Sequence, residues 1–221
     1  LGMNENFGDT MAAMGVVLVL SIVMTLVIIL LQYLLAGAVA GVNPFAALKN
    51  MLPAYFTALG TSSSAATIPV TYESTLKNKV EEEVAGFVVP LCATIHLSGS
   101  MMKITLYALS IVYMASLDVT GGQILGFILL LGIMMIAAPG VPGGAIMAAV
   151  GLLQSNLGFD ESMVSLMIAS YIVVDSFGTA ANVTGDGAIA LIVNKFASGK
   201  IRKQSPIDEP SAAPATGSTA V

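Results

Sequence analysis

Residues 139–144 read Pro-Gly-Val-Pro-Gly-Gly, and they stand in the middle of an apolar stretch that runs from Gln123 to Leu157. Proline and glycine interrupt helices, so two helices meet here that are each too short to cross a bilayer. Unpaired backbone groups are not tolerated in lipid, and broken helices occur in membranes only where protein or a cavity surrounds the break. These six residues therefore predict a re-entrant hairpin with its tip inside the protein.

Three more apolar segments are interrupted by small, polar or helix-breaking residues. The interruptions are residues 60–64 (Gly-Thr-Ser-Ser-Ser), 94–99 (Thr-Ile-His-Leu-Ser-Gly) and 182–187 (Asn-Val-Thr-Gly-Asp-Gly). Four breaks at membrane depth are explained if they meet away from lipid and bind a solute, which is the arrangement found in secondary transporters. The pattern therefore indicates a transporter.

The composition is that of an integral membrane protein embedded in a lipid bilayer. Of the 221 residues, 56% are hydrophobic and 10% are charged, whereas soluble domains carry roughly 25% charged residues. No basic surface interleaved with aromatic residues is present in the sequence, so nucleic-acid binding has no support. Cys92 is the only cysteine, which excludes a disulfide within the chain and a cysteine-rich zinc site.

The breaks and polar loops predict an all-α integral membrane fold with spanning helices, two oppositely oriented re-entrant helical hairpins and broken helices. The predicted segments are 1–42 (short polar N-terminus and spanning helix), 43–78 (first re-entrant hairpin, with half-helices at 45–59 and 69–76), 79–118 (broken spanning helix), 119–158 (second re-entrant hairpin), 159–199 (last spanning helix, broken near 182–187) and 200–221 (disordered tail). Because the chain begins at Leu1 with a polar stretch, we expect it to be a piece of a longer protein.

The charged residues predict an orientation. The lysine-rich side of the predicted topology carries Lys49, Lys77, Lys79, Lys195, Lys200, Arg202 and Lys203, and the opposite side carries Glu5, Asp9, Asp118, Asp160 and Glu161. By the positive-inside rule the lysine-rich side, and with it the C-terminus, faces the cytoplasm of a multi-pass protein in the cell membrane. Lys103 differs from the other cations because it lies inside a membrane segment.

Several polar residues at membrane depth are candidates for solute or ion binding. Asp186 is costly in lipid and is therefore a functional candidate, with a helix cap as the alternative. Thr179 and Asn182 follow Asp175 by four and seven residues on one helix face, where they either bind a solute or hold helices together. The serines at 62–64 lie between two half-helices, where N–H groups and hydroxyls bind a carboxylate unless the segment is an ordinary turn.

Four motifs resemble those of the dicarboxylate/amino acid:cation symporters, the glutamate-transporter family. They are residues 62–71 (Ser-Ser-Ser-Ala-Ala-Thr-Ile-Pro-Val-Thr), 89–95 (Val-Pro-Leu-Cys-Ala-Thr-Ile), 140–147 (Gly-Val-Pro-Gly-Gly-Ala-Ile-Met) and 182–186 (Asn-Val-Thr-Gly-Asp). The resemblance covers about residues 43–197. It implies the mobile transport domain of an elevator-type, homotrimeric symporter that moves a small amino acid or dicarboxylate with sodium, or with protons in its place.

The resemblance also implies roles for individual residues. Substrate contacts would come from Ser62, Ser63, Ser64, Ser100, Lys103, Val141, Gly143, Asp175, Thr179 and Asn182. One sodium ion would be held by Asp186 with the carbonyls of Asn182 and His96, and a second by the carbonyls of Thr94, Met135, Ile136 and Ala138. Asp175 would pair with the α-amino group of the substrate.

The chain departs from the family at three positions. Ser98 replaces a cation-binding carboxylate, Lys103 stands where a tyrosine is usual, and Gly178 stands where members that carry acidic substrates have arginine. The first two changes suggest that one cation site is lost, with Lys103 as a tethered counter-charge or a proton on His96 in its place. The alternatives are a core histidine and a lysine that snorkels to the interface.

The third departure bears on the substrate. Gly178 favours a small neutral amino acid, whereas Lys103 would supply a cation for an acidic amino acid or a dicarboxylate.

The sequence leaves two other functions to consider: an intramembrane hydrolase built on Ser63, His96 and Asp175, and a non-transporting or truncated membrane subunit. No Gly-x-Ser-x-Gly motif surrounds a serine, so the residues favour a transporter over an enzyme.

Overall fold

The computed structural model describes residues 7–199, and helices are the only regular secondary structure in that range. The helices are α1 (Phe7–Ala40), α2 (Pro44–Asn50), α3 (Leu52–Thr61), α4 (Ser64–Lys77), α5 (Glu82–Ile95), α6 (Ser98–Met114), α7 (Gly121–Ile136), α8 (Gly144–Leu157) and α9 (Glu161–Ala197). The tail predicted at 200–221, with Lys200, Arg202 and Lys203, lies outside the described residues.

Several helix ends follow from local capping chemistry. The Asn43 side chain accepts two N–H groups of the first turn of α2, and Thr120 forms a reciprocal capping box with Gln123 at the start of α7. Asp160 caps α9 through its carboxylate. Gly158 ends α8 with φ of 72°, a left-handed conformation that glycine adopts without a steric penalty.

Within residues 7–199, three stretches are long and apolar enough to cross a membrane: Ala12–Ala40, Glu82–Met114 and Glu161–Ala197. Large apolar side chains remain exposed on the outer faces of α1 and α7, including Leu31 at 58% and Ile133 at 64% exposure. An exposed apolar surface of this kind is stable only against lipid or another protein. The all-helical membrane fold is confirmed, whereas the re-entrant path of the two hairpins stays a prediction.

The buried apolar side chains among the described residues form two separate hydrophobic cores. The first core joins α6, α7 and α8 to the N-terminal halves of α1 and α9. The second joins α2, α3 and α5 to the C-terminal halves of the same two long helices. Because α1 and α9 run through both cores, each core holds one helical hairpin, α3–α4 in the second and α7–α8 in the first.

The first hairpin differs in detail from the expected half-helices at 45–59 and 69–76. A break at Met51 separates α2 from α3, and α4 begins at Ser64 rather than near Pro69. Ser63 explains the early start, because its hydroxyl accepts the Ala66 N–H and caps the helix. Pro69 is accommodated inside α4 at the loss of one backbone hydrogen bond.

The predicted break at 182–187 is wrong, because α9 continues as one helix from Glu161 to Ala197. The glycines there serve close packing instead. A Cβ atom added at Gly185 would lie 2.5 Å from His96 Cε1, and one at Gly187 would lie 2.7 Å from Met51 Cε. A larger residue at either position would have to displace these side-chain ends, so the glycines favour close packing on α9 without any unwinding of the helix.

The predicted break between α5 and α6 is present at His96 and Leu97.

At one end of the molecule, the start of α5 contacts the end of α9, where the Glu81 N–H donates to Asn194 Oδ1 at 3.0 Å. The α4–α5 loop contacts α2 at the same end, since Asn78 Nδ2 donates to the Ala47 carbonyl at 3.1 Å. The helix ends that carry Lys49, Lys77, Lys79 and Lys195 therefore lie together, as the predicted topology requires.

Candidate functional site

The tips of the two hairpins touch each other. We call residues 61–64 tip 1 and residues 137–143 tip 2. Ser63 Oγ in tip 1 donates a 2.8 Å hydrogen bond to the Gly140 carbonyl in tip 2, and the Ala65 N–H donates to the same oxygen at 3.2 Å. Two backbone breaks thus satisfy each other inside the protein, which is the condition for irregular backbone at membrane depth.

Tip 2 is also attached to α9. The Gly143 N–H donates to Asp175 Oδ2 at 2.8 Å. Gly143 has φ of 71°, and a Cβ atom on Gly140 would lie 2.7 Å from the Ala93 carbonyl oxygen. Glycine at 143 permits the turn, and glycine at 140 permits tip 2 to pack directly on the end of α5.

Asn182 on α9 holds the start of α6. Its Oδ1 accepts the N–H groups of Gly99 at 2.8 Å and Ser100 at 3.3 Å, and its Nδ2 donates to Ser100 Oγ at 2.9 Å. The first N–H groups of a helix have no partner within the helix, so this amide acts as a cap supplied by another element. It connects the α5–α6 break to α9.

A small cavity lies where tip 1, the α5–α6 break, tip 2 and α9 meet. It offers about 10 Å³ to the centre of a water-sized sphere, which is room for about one water molecule. The cavity is therefore too small for a solute in this structure. The lining residues are Ser62, Ser64, Leu97, Ser100, Pro139, Gly140, Val141, Ala145, Asp175, Thr179 and Asn182.

Seven of the ten predicted substrate residues line this cavity, and the other three lie around it. Ser63 and Gly143 support its wall through the hydrogen bonds that join the tips and α9. Thr179 Oγ1 donates to the Asp175 backbone carbonyl at 3.1 Å. Lys103 lies behind the wall and is fully buried, so the alternative that it snorkels to the interface is wrong. The assignment of these residues to a substrate stays a prediction.

Asp186 lies in a second polar cluster on the other side of Asn182. Its Oδ1 pairs with His96 Nδ1 at 2.8 Å. Gln32 on α1 approaches the same histidine, with Nε2 at 3.2 Å from His96 Nε2, and donates to Ser98 Oγ at 3.0 Å. His96 is thus partly buried with a partner on each ring nitrogen, and its role as a core histidine or a proton carrier stays a prediction.

One oxygen atom in this cluster, Gln32 Oε1, is buried and lacks a hydrogen-bond partner among the described residues. Buried oxygens without a partner are rare in folded proteins and mark positions where a water molecule or an ion binds. Oxygen is also the ligand that hard cations prefer. The donor set around Asp186 therefore fits a sodium ion.

The second predicted sodium set lies at the ends of α5 and α7. Thr94 is in the last turn of α5, and Met135 and Ile136 close α7 before Ala138. The Met135 carbonyl accepts the Ala138 N–H at 3.3 Å. The two helices are in contact, and convergence of the four carbonyls on one ion stays a prediction.

Sequence reasoning missed the contributions of α1. Gln32 and Tyr33 lie in the otherwise apolar run of this helix, and the Tyr33 hydroxyl donates to the Thr184 carbonyl at 2.9 Å. Ser21, Thr25 and Tyr33 are all buried. Polar residues at 21, 25, 32 and 33 form a stripe on one face, and that stripe was the available signal.

The residues considered for a hydrolase do not assemble into a triad. His96 is paired with Asp186 rather than Asp175, and the Ser63 hydroxyl donates to the Gly140 carbonyl. A nucleophilic serine needs its base within hydrogen-bond reach. This geometry agrees with a transporter rather than an enzyme.

Comparison with known proteins identifies relatives that are membrane transporters. Residues 3–196 match the model of the sodium:dicarboxylate symporter family. The excitatory amino acid transporter 1 of Ambystoma tigrinum is 37% identical over 72% of this chain and 30% of its own length. Its counterpart from Rattus norvegicus is 31% identical over 89% of this chain and 36% of its own length. The excitatory amino acid transporter 3 of Oryctolagus cuniculus is 35% identical over 70% and 29%. The chain thus spans about a third of the length of these relatives.

Proposed function

We propose that this chain, which belongs to the sodium:dicarboxylate symporter family, forms the solute-carrying part of a sodium-coupled symporter. The proposed solute is a small amino acid or a dicarboxylate, moved across the cell membrane. One observation carries the proposal: two hairpin tips, the α5–α6 break and α9 converge on one small cavity whose polar lining consists of serine, threonine, asparagine and a single aspartate. Helix breaks that meet around a polar cavity are the construction used by secondary transporters.

Tip 2 is the proposed gate. Three hydrogen bonds hold it closed, two at the Gly140 carbonyl and one at the Gly143 N–H. At roughly 1 kcal/mol each, they amount to about 3 kcal/mol in total. A solute can replace such a sum with its own contacts to Ser62, Ser64 and Ser100. Occupancy of the cavity and the position of tip 2 are therefore coupled.

Sodium is the proposed driving ion, and its binding near Asp186 is supported by the buried Gln32 Oε1, which has no hydrogen-bond partner among the described residues. Carbonyls of His96 and Asn182 would complete that site, and the carbonyls at the ends of α5 and α7 would form the second. Ser98, which accepts a hydrogen bond from Gln32, supplies no charge of its own. We therefore expect one coupled cation fewer than a carboxylate at this position would give.

The remaining parts of the proposal concern the assembly. We propose an elevator-type movement of this part within a homotrimer, with the lysine-rich end and the C-terminus on the cytoplasmic side. The grouping of lysine-bearing helix ends at one end of the molecule supports that orientation. A non-transporting membrane subunit is the alternative that the uptake experiment addresses.

The test is solute uptake into liposomes that contain the complete encoded protein. Labelled aspartate, serine and succinate are offered with an inward sodium gradient, with the gradient collapsed, and with a proton gradient alone. We expect sodium-dependent accumulation of at least one solute, and its loss in Asn182→Ala, because that change removes the amide that joins α6 to α9. Uptake that does not depend on the sodium gradient would refute sodium coupling. Absence of uptake for every solute would favour the non-transporting alternative.

A further inference from the structure

Lys103 occupies the space that Gly178 leaves open on α9. A Cβ atom added at Gly178 would overlap Lys103 Cε and would lie 2.5 Å from Lys103 Nζ. The lysine is fully buried. Its side chain therefore fits between α6 and α9 only because residue 178 has no side chain of its own.

The ammonium group is bound on several sides. Lys103 Nζ donates to the backbone carbonyls of Val174 at 2.6 Å and Asp175 at 3.1 Å. It lies 4.0 Å from Asp175 Oδ1 and 4.6 Å from the centre of the Tyr171 ring. A buried ammonium group is tolerated only with such partners. Lys103 is thus held in place inside the protein, next to the carboxylate of Asp175.

Both carboxylate oxygens of Asp175 therefore have a partner within the protein. Oδ2 accepts the Gly143 N–H of tip 2, and Oδ1 faces the lysine. An α-amino acid that brought its own ammonium group to this carboxylate would compete with Lys103. Removing one partner from a buried ion pair leaves an uncompensated charge, which is strongly unfavourable. The pair therefore disfavours a solute with an ammonium group.

The rest of the cavity wall has no other negative side chain. Its remaining polar side chains are the hydroxyls of Ser62, Ser64, Ser100 and Thr179 and the amide of Asn182. Hydroxyls and amides donate to carboxylate oxygens. The Thr179 hydroxyl and the Asn182 amide already donate to the Asp175 carbonyl and to Ser100 Oγ, so the free donors are the hydroxyls of the three serines. With Asp175 balanced by Lys103, the wall presents these donors and no free anion, which suits a carboxylate and not a cation.

We propose that Lys103 acts as a built-in ammonium group for Asp175, and that the site therefore selects small dicarboxylates over α-amino acids. This inference rests on the proposed function and names its substrate class. Lys103 and Gly178 are the specificity-determining pair, since the glycine admits the lysine and the lysine takes the place that a substrate ammonium group would need.

The test compares two solutes that differ by one ammonium group, succinate and aspartate. Sodium-driven uptake of labelled succinate into liposomes with the complete encoded protein is measured against increasing unlabelled succinate or aspartate. In the wild type we expect aspartate to compete at least 100-fold more weakly than succinate. Lys103→Met keeps most of the length of the side chain and its apolar stem but removes the ammonium group. In this variant we expect the ratio to fall at least tenfold, because the Asp175 carboxylate is then free to pair with the ammonium group of aspartate.

Controls separate this inference from a general loss of folding. Lys49→Met removes a lysine at the lysine-rich end and should leave the ratio unchanged. Lys103→Met/Asp175→Asn removes both members of the pair and leaves no carboxylate for a substrate ammonium group, so it should keep the discrimination that Lys103→Met loses. If the variants do not fold, the wild-type competition decides by itself.

Three results would overturn the inference. Wild-type uptake that prefers aspartate or serine would refute it while leaving sodium-coupled transport intact. An unchanged ratio in a folded Lys103→Met would show that the lysine does not determine specificity. Absence of uptake for every solute would refute the proposed function and this inference together.

Discussion

Gly178→Ala is the substitution for which the structure makes the sharpest stability prediction. The added methyl group would overlap the end of the Lys103 side chain, which has no free space around it because it is fully buried. The helices cannot separate easily to make room. One turn away, a Cβ atom at Gly99 would lie only 2.7 Å from Ala181 Cβ and from the Gly178 carbonyl, so α6 and α9 are already in backbone contact.

The expected loss of stability is about 3 kcal/mol. Overpacking a filled site costs roughly 1–3 kcal/mol. Displacing the ammonium group weakens at least one hydrogen bond of a charged donor, roughly 1.5–3 kcal/mol. The gain in helix propensity from glycine to alanine returns about 1 kcal/mol. For a chain of this size 1 kcal/mol corresponds to about 2–4 °C, so we expect the melting temperature to fall by about 6–12 °C.

Cys92 provides the assay. Its thiol is buried and free, so a thiol-reactive dye labels it only as the protein unfolds on heating in detergent. Gly151→Ala is the matched control, because Gly151 lies in the exposed part of α8 and a Cβ atom there meets nothing within 4 Å. That variant should be as stable as the wild type or more stable by up to about 1 kcal/mol.

The same substitution made in a Lys103→Ala protein identifies the cause of the stability loss. In Lys103→Ala the space beside Gly178 is empty, and adding Gly178→Ala should then cost little, since residues in contact show non-additive effects. Equal melting temperatures for Gly178→Ala, Gly151→Ala and the wild type would refute the argument. An unchanged loss of stability in the Lys103→Ala background would show that the lysine is not what the methyl group meets.

Two other predictions concern tip 1 and the cap of α9. Ser63→Ala removes the hydrogen bond from tip 1 to the Gly140 carbonyl, worth about 1 kcal/mol, so the open form of tip 2 should gain roughly fivefold; spin-label distances between exposed sites 56 and 147 measure this, and a distribution identical to that of the surface control Ser165→Ala would contradict it. At Asp160, hydrogen bonds from the Met163 N–H and the Ser162 hydroxyl lower the pKa of the carboxyl. Because the folded pKa lies below the unfolded one, this stabilisation is present at neutral pH and is lost as the pH falls below about 4. The melting temperature of the wild type should therefore drop more on acidification than that of Asp160→Asn, which keeps a good cap without titrating.

The candidate site was largely predictable from local patterns. The spacing of Asp175, Thr179 and Asn182 places them on one face of a helix whatever surrounds it, and all three line the cavity. Serines between two half-helices and a Pro/Gly-rich break predict tips by the same local reasoning. The partners could not be predicted in this way: nothing in residues 94–99 indicates that His96 pairs with Asp186, ninety residues later.

Glycine shows where sequence reasoning reaches its limit. At Gly140 and Gly143 it marks a break in the chain, but at Gly185 and Gly187 it lies inside an unbroken helix and admits side chains from α1 and from the breaks at Met51 and His96. The same residue type permits either unusual dihedrals or close approach. Which of the two applies depends on the neighbour, and the neighbour belongs to another part of the chain.

Sequence alone determined that this protein lies in a membrane, that its helices break at a few places and that those breaks contain the polar residues. Hydropathy, proline and glycine act on the backbone within a few residues, and lipid excludes any other arrangement of unpaired peptide groups. Only the tertiary structure decided that α9 stays intact and that Lys103 reaches Asp175 through the space above Gly178. Those outcomes depend on which helices pack together, and packing joins residues that the sequence keeps far apart.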